Sequence, residues 1–430
     1  MEKNNLCVIN LPGQNNFAVV SPGRIAYGLN ASENELQQLV ADEEKHTENI
    51  ELKKENCNTM RLSAPVIALM PTFDCNLRCV YCYARGGEIK KTMSFEVAKS
   101  AIEAVAQYNN CRERLDIYLV GGGEPLLPFG LVYNSVEFAK SIYKMVIVHV
   151  VTNGTFSDDV LQWIIKNKVD IRISYDGPMH RIQRPFAHST NHSVINSEEI
   201  IKRNITILTA NGISVTVQCI VAKGGLQTMC QTIDEVVGMG VKVLKFEPML
   251  ATSISRGVKE MEPNPIKYAE ALLDAINYAA QLGNIKIDTG YFTEPSDQYY
   301  CGIAQNNKII TPDGLITACV EVSKETDPYA NSVIFGKIEY KSMVVNKKRV
   351  KTLQSFHYKN QESCVRCNLR FICQGGCPMA NIWRSGIPIR KSSFTCAVEH
   401  KLIPALLLKI VENPKIAEVV FNNNAKFKTC

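Results

Sequence analysis

Three cysteines stand close together in the run Cys75-Asn76-Leu77-Arg78-Cys79-Val80-Tyr81-Cys82. This CxxxCxxC spacing puts three thiolates on one short loop. Three thiolates can hold three corners of a 4Fe–4S cube, which leaves the fourth iron for a ligand that is not protein. The same loop also suits a zinc site or three unrelated core thiols, although zinc prefers four ligands in paired CxxC units. A second feature is the glycine run Gly121-Gly122-Gly123, followed by Glu124-Pro125. Bare glycine backbone lets a small polar ligand approach closely, and it also makes an ordinary strand-to-helix turn. A third constellation lies later in the chain: Cys301, then Gly314 and Cys319, then Cys364, Cys367, Cys373 and Cys377, and finally Cys396.

The elements that must position these residues have a clear rhythm. From about Val66 to Leu282, apolar strand runs alternate with amphipathic helical stretches: strands near Val66–Met70, Leu115–Val120, Val146–Val151, Val169–Ser174, Ile213–Val221 and Val241–Phe246, with helices between and after them. Strict alternation implies a parallel sheet, and apolar strands imply burial on both faces. Six units rather than eight predict an α/β fold with a partial (β/α)6 TIM-like barrel. Chemistry in such folds sits at the carboxyl ends of the strands. Cys75, Gly121 to Pro125, Asn153, Asp176 and Glu247 all fall there. After about Asp288 the alternation stops. Pro312-Asp313-Gly314 marks a tight hairpin, and a basic segment, a cysteine-dense stretch and a last helix from about Ala397 to Val411 follow.

The chain has 430 residues, suggesting two or three domains, with 46% hydrophobic and 21% charged residues, which excludes a disordered or fibrous protein. Sixteen cysteines are far too many for an ordinary chain of this size. The start, MEKNNLCVINLPGQ, has no long apolar stretch behind a basic region, and no run reaches the length of a membrane span. The expectation is a cytoplasmic protein with reduced thiols free to bind metal. A net charge of +6 without long basic runs or aromatic–basic interleaving predicts no nucleic-acid partner and no membrane partner.

Taken together, Cys75, Cys79 and Cys82, the aromatic Tyr81 before the last of them, and Gly122-Gly123-Glu124 after the second strand resemble the radical S-adenosylmethionine enzymes. The resemblance covers roughly residues 66–250. It implies that the open iron chelates S-adenosylmethionine, that the Gly122-Gly123-Glu124 strand end contacts the methionine amine, and that Ser174 and Asp176, with Asn153 close by, lie where ribose contacts occur. The ordinary reading of these last three is strand-end capping. The later cysteines resemble the seven-cysteine SPASM domain of peptide- and protein-modifying radical enzymes. By that resemblance Cys364, Cys367, Cys373 and Cys396 hold a distal auxiliary cluster, while Cys301, Cys319 and Cys377 hold a nearer one that lacks a fourth cysteine. The implied cofactors are S-adenosylmethionine and three 4Fe–4S clusters. Six cysteines stay unassigned: Cys7, Cys57, Cys111, Cys219, Cys230 and Cys430. Cys219 and Cys230 read as buried thiols.

The expected organisation is an N-terminal cap or partial leader-binding segment (1–62), a radical barrel (63–288), a C-terminal cysteine-rich SPASM domain (289–400), and a helix and tail (401–430). The implied activity is maturation of a ribosomally made precursor peptide by hydrogen abstraction and an intramolecular cross-link, either a thioether or a carbon–carbon or ether bond to an aromatic side chain. A reducing donor such as flavodoxin or ferredoxin is the implied second partner. The alternatives are an anaerobic sulfatase-maturing enzyme and an iron–sulfur electron carrier without catalysis. Against the sulfatase-maturing reading, Val320 follows Cys319, with Glu321 one place later, where those enzymes place an acid directly after the cysteine. Glu247, Tyr291, His180 and Arg184 are candidate general bases near the barrel mouth.

Overall fold

A computed structural model describes all residues except 1–5, 57–64, 110–111, 188–195, 253–254, 258, 293, 306, 388–392, 422–425 and 430. Cys57, Cys111 and Cys430 lie outside the described residues. The chain forms two compact units, neither contiguous in sequence. One contains residues 63–263 and 301–355, and the other contains residues 1–62, 264–300 and 356–430.

The larger unit is built on the expected parallel strands: Val66–Leu69, Arg114–Leu119, Met145–Thr152, Asp170–Ser174, Val215–Val221 and Val243–Pro248. They lie side by side in chain order, each parallel to the next. Helices Phe95–Asn109, Phe129–Ile142, Asp158–Asn167, Ser197–Ala210 and Met229–Gly238 connect them. The helix Asp158–Asn167 shows how local sequence sets these connections. Asp158 and Asp159 sit in its first turn, where the helix dipole favours negative charge, and Val160, Leu161, Trp163 and Ile164 make its buried face. Lys168 ends it in the left-handed conformation. The strands bury residues such as Leu115, Ile117 and Leu119, each worth about 1.5–3 kcal/mol of apolar burial.

The sheet does not stop at the first barrel strand. Ile309–Ile310 pairs parallel with Val66–Leu69 on its free side, with Ile309 opposite Ala68. Leu315–Thr317 returns antiparallel to it, around the expected Pro312-Asp313-Gly314 turn. Two strands that the sequence did not announce, Ile334–Glu339 and Ser342–Val345, extend this edge. Their turn uses Tyr340 and Lys341 at positive φ, a conformation that composition does not reveal.

In the other unit, Cys7–Asn10, Phe17–Ser21 and Arg24–Gly28 form an antiparallel meander, and Lys426–Thr429 pairs parallel with the third strand. Gly23, at φ +82°, makes the turn between the second and third strands. A helix of 24 residues runs from Glu33 to Asn56, with Glu33 and Glu35 in its first turn. Helices Pro265–Leu282 and Ser393–Glu412 pack together, burying Leu272, Ile276, Leu402 and Leu406 among others. Among the described residues, no helix is long and apolar enough to cross a membrane.

Candidate active site

The loop carrying Cys75, Cys79 and Cys82 leaves the first barrel strand and is braced on both sides. On one side Phe73 N–H donates to Lys91 O (2.8 Å), and Gly87 N–H donates to Phe73 O (2.8 Å). On the other, Arg78 N–H donates to Pro185 O (2.8 Å), Val80 N–H to Gln183 O (2.9 Å) and Ala187 N–H to Asn76 O (2.8 Å). Arg78 ties the loop to itself, donating to the carbonyls of Cys75 (2.6 Å) and Gly87 (3.1 Å). The loop is therefore shaped before any ligand arrives.

The three thiols converge. Burial pushes Cys75 up to about 12, and the nearby charges of Glu124, Cys79 and Cys82 push the same way. Burial also pushes Cys79 up to about 11, against the favourable charge of Arg184. Like charges gathered in a buried place need a cation to become thiolates. Among the described residues, no three His, Cys, Asp or Glu side chains close on a single point, as one metal ion requires. Three thiols on one short loop suit separate irons of a cube, whose ligands stand farther apart than those of one ion.

The glycine run presses directly on this loop. Gly121 and Gly122 take φ of +69° and +68°, the left-handed region that glycine tolerates at no steric cost. Gly123 N–H donates to Thr72 O (2.9 Å), and Glu124 N–H donates to Asp74 O (2.8 Å). A Cβ on Gly123 would lie 1.9 Å from the Asp74 carbonyl oxygen, and one on Gly86 would lie 3.2 Å from Cys75 Cβ. The cradle is thus closed to side chains on both flanks of Cys75. Gly123→Ala should push residues 73–75 aside, cost about 1–3 kcal/mol by overpacking, and lower the iron bound on anaerobic reconstitution. Iron assay and the visible iron–sulfur absorption check this. Wild-type iron content in the variant would contradict it.

Glu124 is buried with its carboxylate occupied. It accepts hydrogen bonds from Thr152 Oγ1 (2.6 Å), Leu126 N (3.1 Å) and Asn153 N (2.7 Å). Burial raises it to about 7, and those three donors act in the opposite direction. The side chain therefore locks the second strand end to the third, while the adjacent glycine backbone stays bare. Asn153 extends the lock, donating to Asn76 Oδ1 (2.8 Å) and, through Oδ1, accepting from Thr155 N (2.9 Å). Its amide also reaches Cys75 Sγ at 3.9 Å. Ser174 is half-buried at the end of the fourth strand.

Asp176 proves to be the centre of a buried network. Its Oδ2 accepts from Tyr81 Oη (2.5 Å), Gln183 Nε2 (2.8 Å) and Arg184 Nε (2.9 Å). Its Oδ1 accepts from Arg184 Nη2 (3.2 Å) and Ile220 N (3.0 Å). Burial alone would raise its pKa, but the charge and hydrogen bonds of Arg184 outweigh that and hold it below the ordinary range. The Arg184 guanidinium also lies 5.2 Å from the Tyr81 ring centroid and reaches Cys79 Sγ at 3.9 Å. Tyr81, Asp176 and Arg184 thus fasten the cysteine loop to the fourth strand end. Sequence reasoning named all three residues and missed that they form one unit, since no local pattern links positions a hundred residues apart.

The candidate bases separate sharply. His180 is fully buried, stacks on Tyr175 (5.1 Å between centroids), and is pushed down to about 4 by burial. Arg184 is committed to Asp176, and Tyr291 is buried in the smaller unit. Glu247 is one-third exposed, and its carboxylate is held by Gln218 and Lys245. Polar residues at alternate positions of two otherwise apolar strands are the signal that could have found Gln218 and Lys245.

Two of the later cysteines, Cys301 and Cys319, belong to the larger unit. Cys319 lies two residues past the end of the strand Leu315–Thr317. Tyr83, just after Cys82, is raised well above the usual phenol range by burial and then by the charges of Cys82, Glu321, Cys319 and Glu247. These groups therefore face a common region. Beside it is a cleft of about 270 Å³ lined by Tyr83, Glu88, Ile89, Glu321, Lys324 and Asp327, among others.

In the smaller unit, three consecutive left-handed residues, Gln374, Gly375 and Gly376, turn the chain between Cys373 and Cys377. Burial and then the carboxyl of Glu399 raise Cys373, and Cys396 lies near enough to add to this. The Cys367 sulfur stands 3.8 Å from His400 Nε2, and Cys364 Sγ donates to Gln361 Oε1 (3.3 Å). The unassigned Cys7 is buried here and donates to Cys367 O at 3.8 Å. Cys219 is buried and Cys230 only half-buried, because its helix face turns partly outward. Every described cysteine is free of disulfides.

A loop of three converging thiols against a bare glycine cradle, at the open end of a parallel partial barrel, defines a class of enzyme. Residues 69–228 match the Radical SAM superfamily, a superfamily of enzymes, so this stretch of the chain carries a radical SAM domain. One curated relative, an uncharacterized protein of Methanocaldococcus jannaschii, is 28% identical over 185 residues, covering 42% of this chain and 61% of that protein. The match thus spans about three-fifths of the relative's length. Among solved structures, native anSMEcpe with bound AdoMet superposes with a TM-score of 0.67 at 17% identity, over 81% of this chain and 98% of that one. SuiB of Streptococcus suis bound to precursor peptide SuiA gives 0.57 at 15% identity, over 86% and 83%. These likenesses establish a shared fold.

Proposed function

We propose that the chain matures a ribosomally made precursor peptide by radical chemistry, abstracting hydrogen and installing an intramolecular cross-link. The observation that carries this reading is the hydrogen-bonded ladder that seats the Cys319 hairpin beside the first barrel strand. It brings Cys319 to the region faced by Cys82. A site for hydrogen abstraction and a site for electron uptake then serve one bound substrate, which suits a net two-electron oxidation. The peptide-bound SuiB structure lends support on the substrate side.

Cys75, Cys79 and Cys82 would hold the cluster that binds S-adenosylmethionine, which supplies a hydrogen-abstracting 5′-deoxyadenosyl radical. Gly122 and Gly123 offer it bare backbone, with Asn153 and Ser174 at the neighbouring strand ends. Tyr81, Glu124 and Asp176 keep those ends in place. Cys301, Cys319 and Cys377 would hold the nearer auxiliary cluster, and Cys364, Cys367, Cys373 and Cys396 the distal one. The reducing donor is a flavodoxin or ferredoxin, and the compartment is the cytoplasm.

The test is anaerobic reconstitution with dithionite, S-adenosylmethionine and the small peptides encoded beside the gene, followed by peptide mass. Loss of about two hydrogens per modification together with 5′-deoxyadenosine is expected, and fragmentation then separates a thioether from a bond to an aromatic ring. Deoxyadenosine with unchanged peptide would overturn the substrate assignment. A second reading, formylglycine formation on sulfatase peptides, has the anSMEcpe fold likeness and Glu321 beside Tyr83 in its favour. Sulfatase-derived peptides in the same assay decide between the two.

A further inference from the structure

The barrel strands follow a two-residue period with a consequence for the substrate side. In the fifth strand Val215, Val217, Cys219 and Val221 are buried, while Thr216, Gln218 and Ile220 are half-buried. In the sixth, Leu244, Phe246 and Pro248 are buried, while Val243, Lys245 and Glu247 are half-buried. The buried set faces the covering helices. A Cβ on Gly154 would meet both Ile173 and Ile201, and Tyr175 bonds Glu235 of the helix Met229–Gly238. The other set therefore faces the concave side. Register places Ser174, Gln218 and Lys245 in one row across three strands, with Glu247 one step nearer the carboxyl end, opposite Ile220.

On that face three side chains form a unit. Gln218 Nε2 donates to Glu247 Oε2 at 2.7 Å, and Lys245 Nζ lies 2.9 Å from Glu247 Oε1. Each carboxylate oxygen thus holds one donor and keeps a free lone-pair direction. Lys245 is 17% exposed and Glu247 34%, so the ammonium is tucked beneath and the carboxylate is the part presented. Glu247 is also within electrostatic reach of Tyr83, which follows Cys82. A lone charged pair on a barrel wall would be a structural tie. A carboxylate oriented by two donors, open on one side and facing the cysteine loop is built to meet a ligand.

We infer that Glu247 is the proton acceptor of the reaction, with Gln218 and Lys245 holding its carboxylate toward the substrate. The inference rests on the oxidative cross-linking reading above. One hydrogen atom leaves the substrate carbon for the deoxyadenosyl group, giving 5′-deoxyadenosine. The new bond forms between that carbon and a substrate sulfur or ring atom. The proton carried by that sulfur or ring atom passes to Glu247, and the one remaining electron passes to an iron–sulfur centre. Without the acceptor, hydrogen abstraction proceeds and bond formation stalls.

Glu247→Gln keeps size and the position of both neighbours and removes the basic oxygen. In the fully reconstituted full-length enzyme, the ratio of cross-linked peptide to 5′-deoxyadenosine should fall about a hundredfold. Peptide affinity, measured by fluorescence anisotropy without reductant, should stay within about twofold. Glu247→Asp should recover part of the ratio. An unchanged ratio in Glu247→Gln overturns the inference. So does loss of peptide binding in that variant. If the wild-type enzyme makes deoxyadenosine and no cross-link, the cross-linking reading itself fails, a result distinct from every variant outcome.

Discussion

Replacing Cys75, Cys79 and Cys82 together with Ala removes one cluster's worth of iron and abolishes 5′-deoxyadenosine formation, while the fold survives. The three thiols sit on a loop whose shape comes from other groups. Arg78 bonds the carbonyls of Cys75 and Gly87, and the backbone of Asn76, Arg78 and Val80 pairs with that of Ala187, Pro185 and Gln183. Removing the sulfurs leaves these bonds intact and takes away thiols that burial raises at Cys75 and Cys79. The variant should therefore unfold at a urea midpoint close to that of the wild-type apoprotein, with iron and sulfide reduced and no cleavage of S-adenosylmethionine. Continued cleavage would mean that the chemistry resides elsewhere, and a collapsed midpoint would mean that the thiols are structural.

Asp176→Ala has the opposite signature: a large loss of stability. The variant strands Arg184, which is 6% exposed, as an uncompensated buried cation, and it removes the acceptor of Tyr81 and Gln183. Breaking a buried pair from one side costs about 3–5 kcal/mol. Replacing both partners with apolar residues, Asp176→Leu with Arg184→Met, should recover most of that loss, because no buried charge is then left unpaired. Urea midpoints of the single and double variants test this, and a double variant no better than the single one would contradict it. The pH dependence follows from the sign of the shift. Asp176 titrates lower folded than unfolded, so its contribution is complete above about pH 4, the ordinary carboxylate value, and is lost as pH falls through the lower folded value. Because Tyr81 and Arg184 touch the cysteine loop, the single variant should also bind less iron.

Much of this was legible in the residues. The alternation of apolar strands with capped helices gives the parallel order, since each unit repeats one local pattern. The spacing of Cys75, Cys79 and Cys82 and the glycine run single out the loop and strand end that the fold packs together, because close backbone approach demands glycine there. What stayed hidden depends on long-range pairing. Asp176 read as a strand-end cap or a ribose contact, and only the fold brings Tyr81, Gln183 and Arg184 to it. Glu124 read as half of a ligand-contacting motif, and only the third strand supplies Thr152 and Asn153 as its partners. The strands Ile334–Glu339 and Ser342–Val345 were missed because a turn at Tyr340 and Lys341 lacks glycine, the usual marker of positive φ.

The pairing of Ile309–Ile310 with Val66–Leu69 has one more consequence. The backbone bonds from Ala68 N to Lys308 O (3.0 Å) and from Met70 N to Ile310 O (2.9 Å) make the loop that bears Cys75 and the hairpin that leads to Cys319 neighbours in one continuous sheet. Electron tunnelling falls off steeply with distance, so a carrier pair mounted on a mobile hinge would transfer at a rate set by how often the hinge closes. Were clusters held at Cys75 and Cys319, a covalent and hydrogen-bonded frame a few residues long would set the spacing of those two loops. Transfer across it would be ungated, and its rate would be insensitive to solvent viscosity.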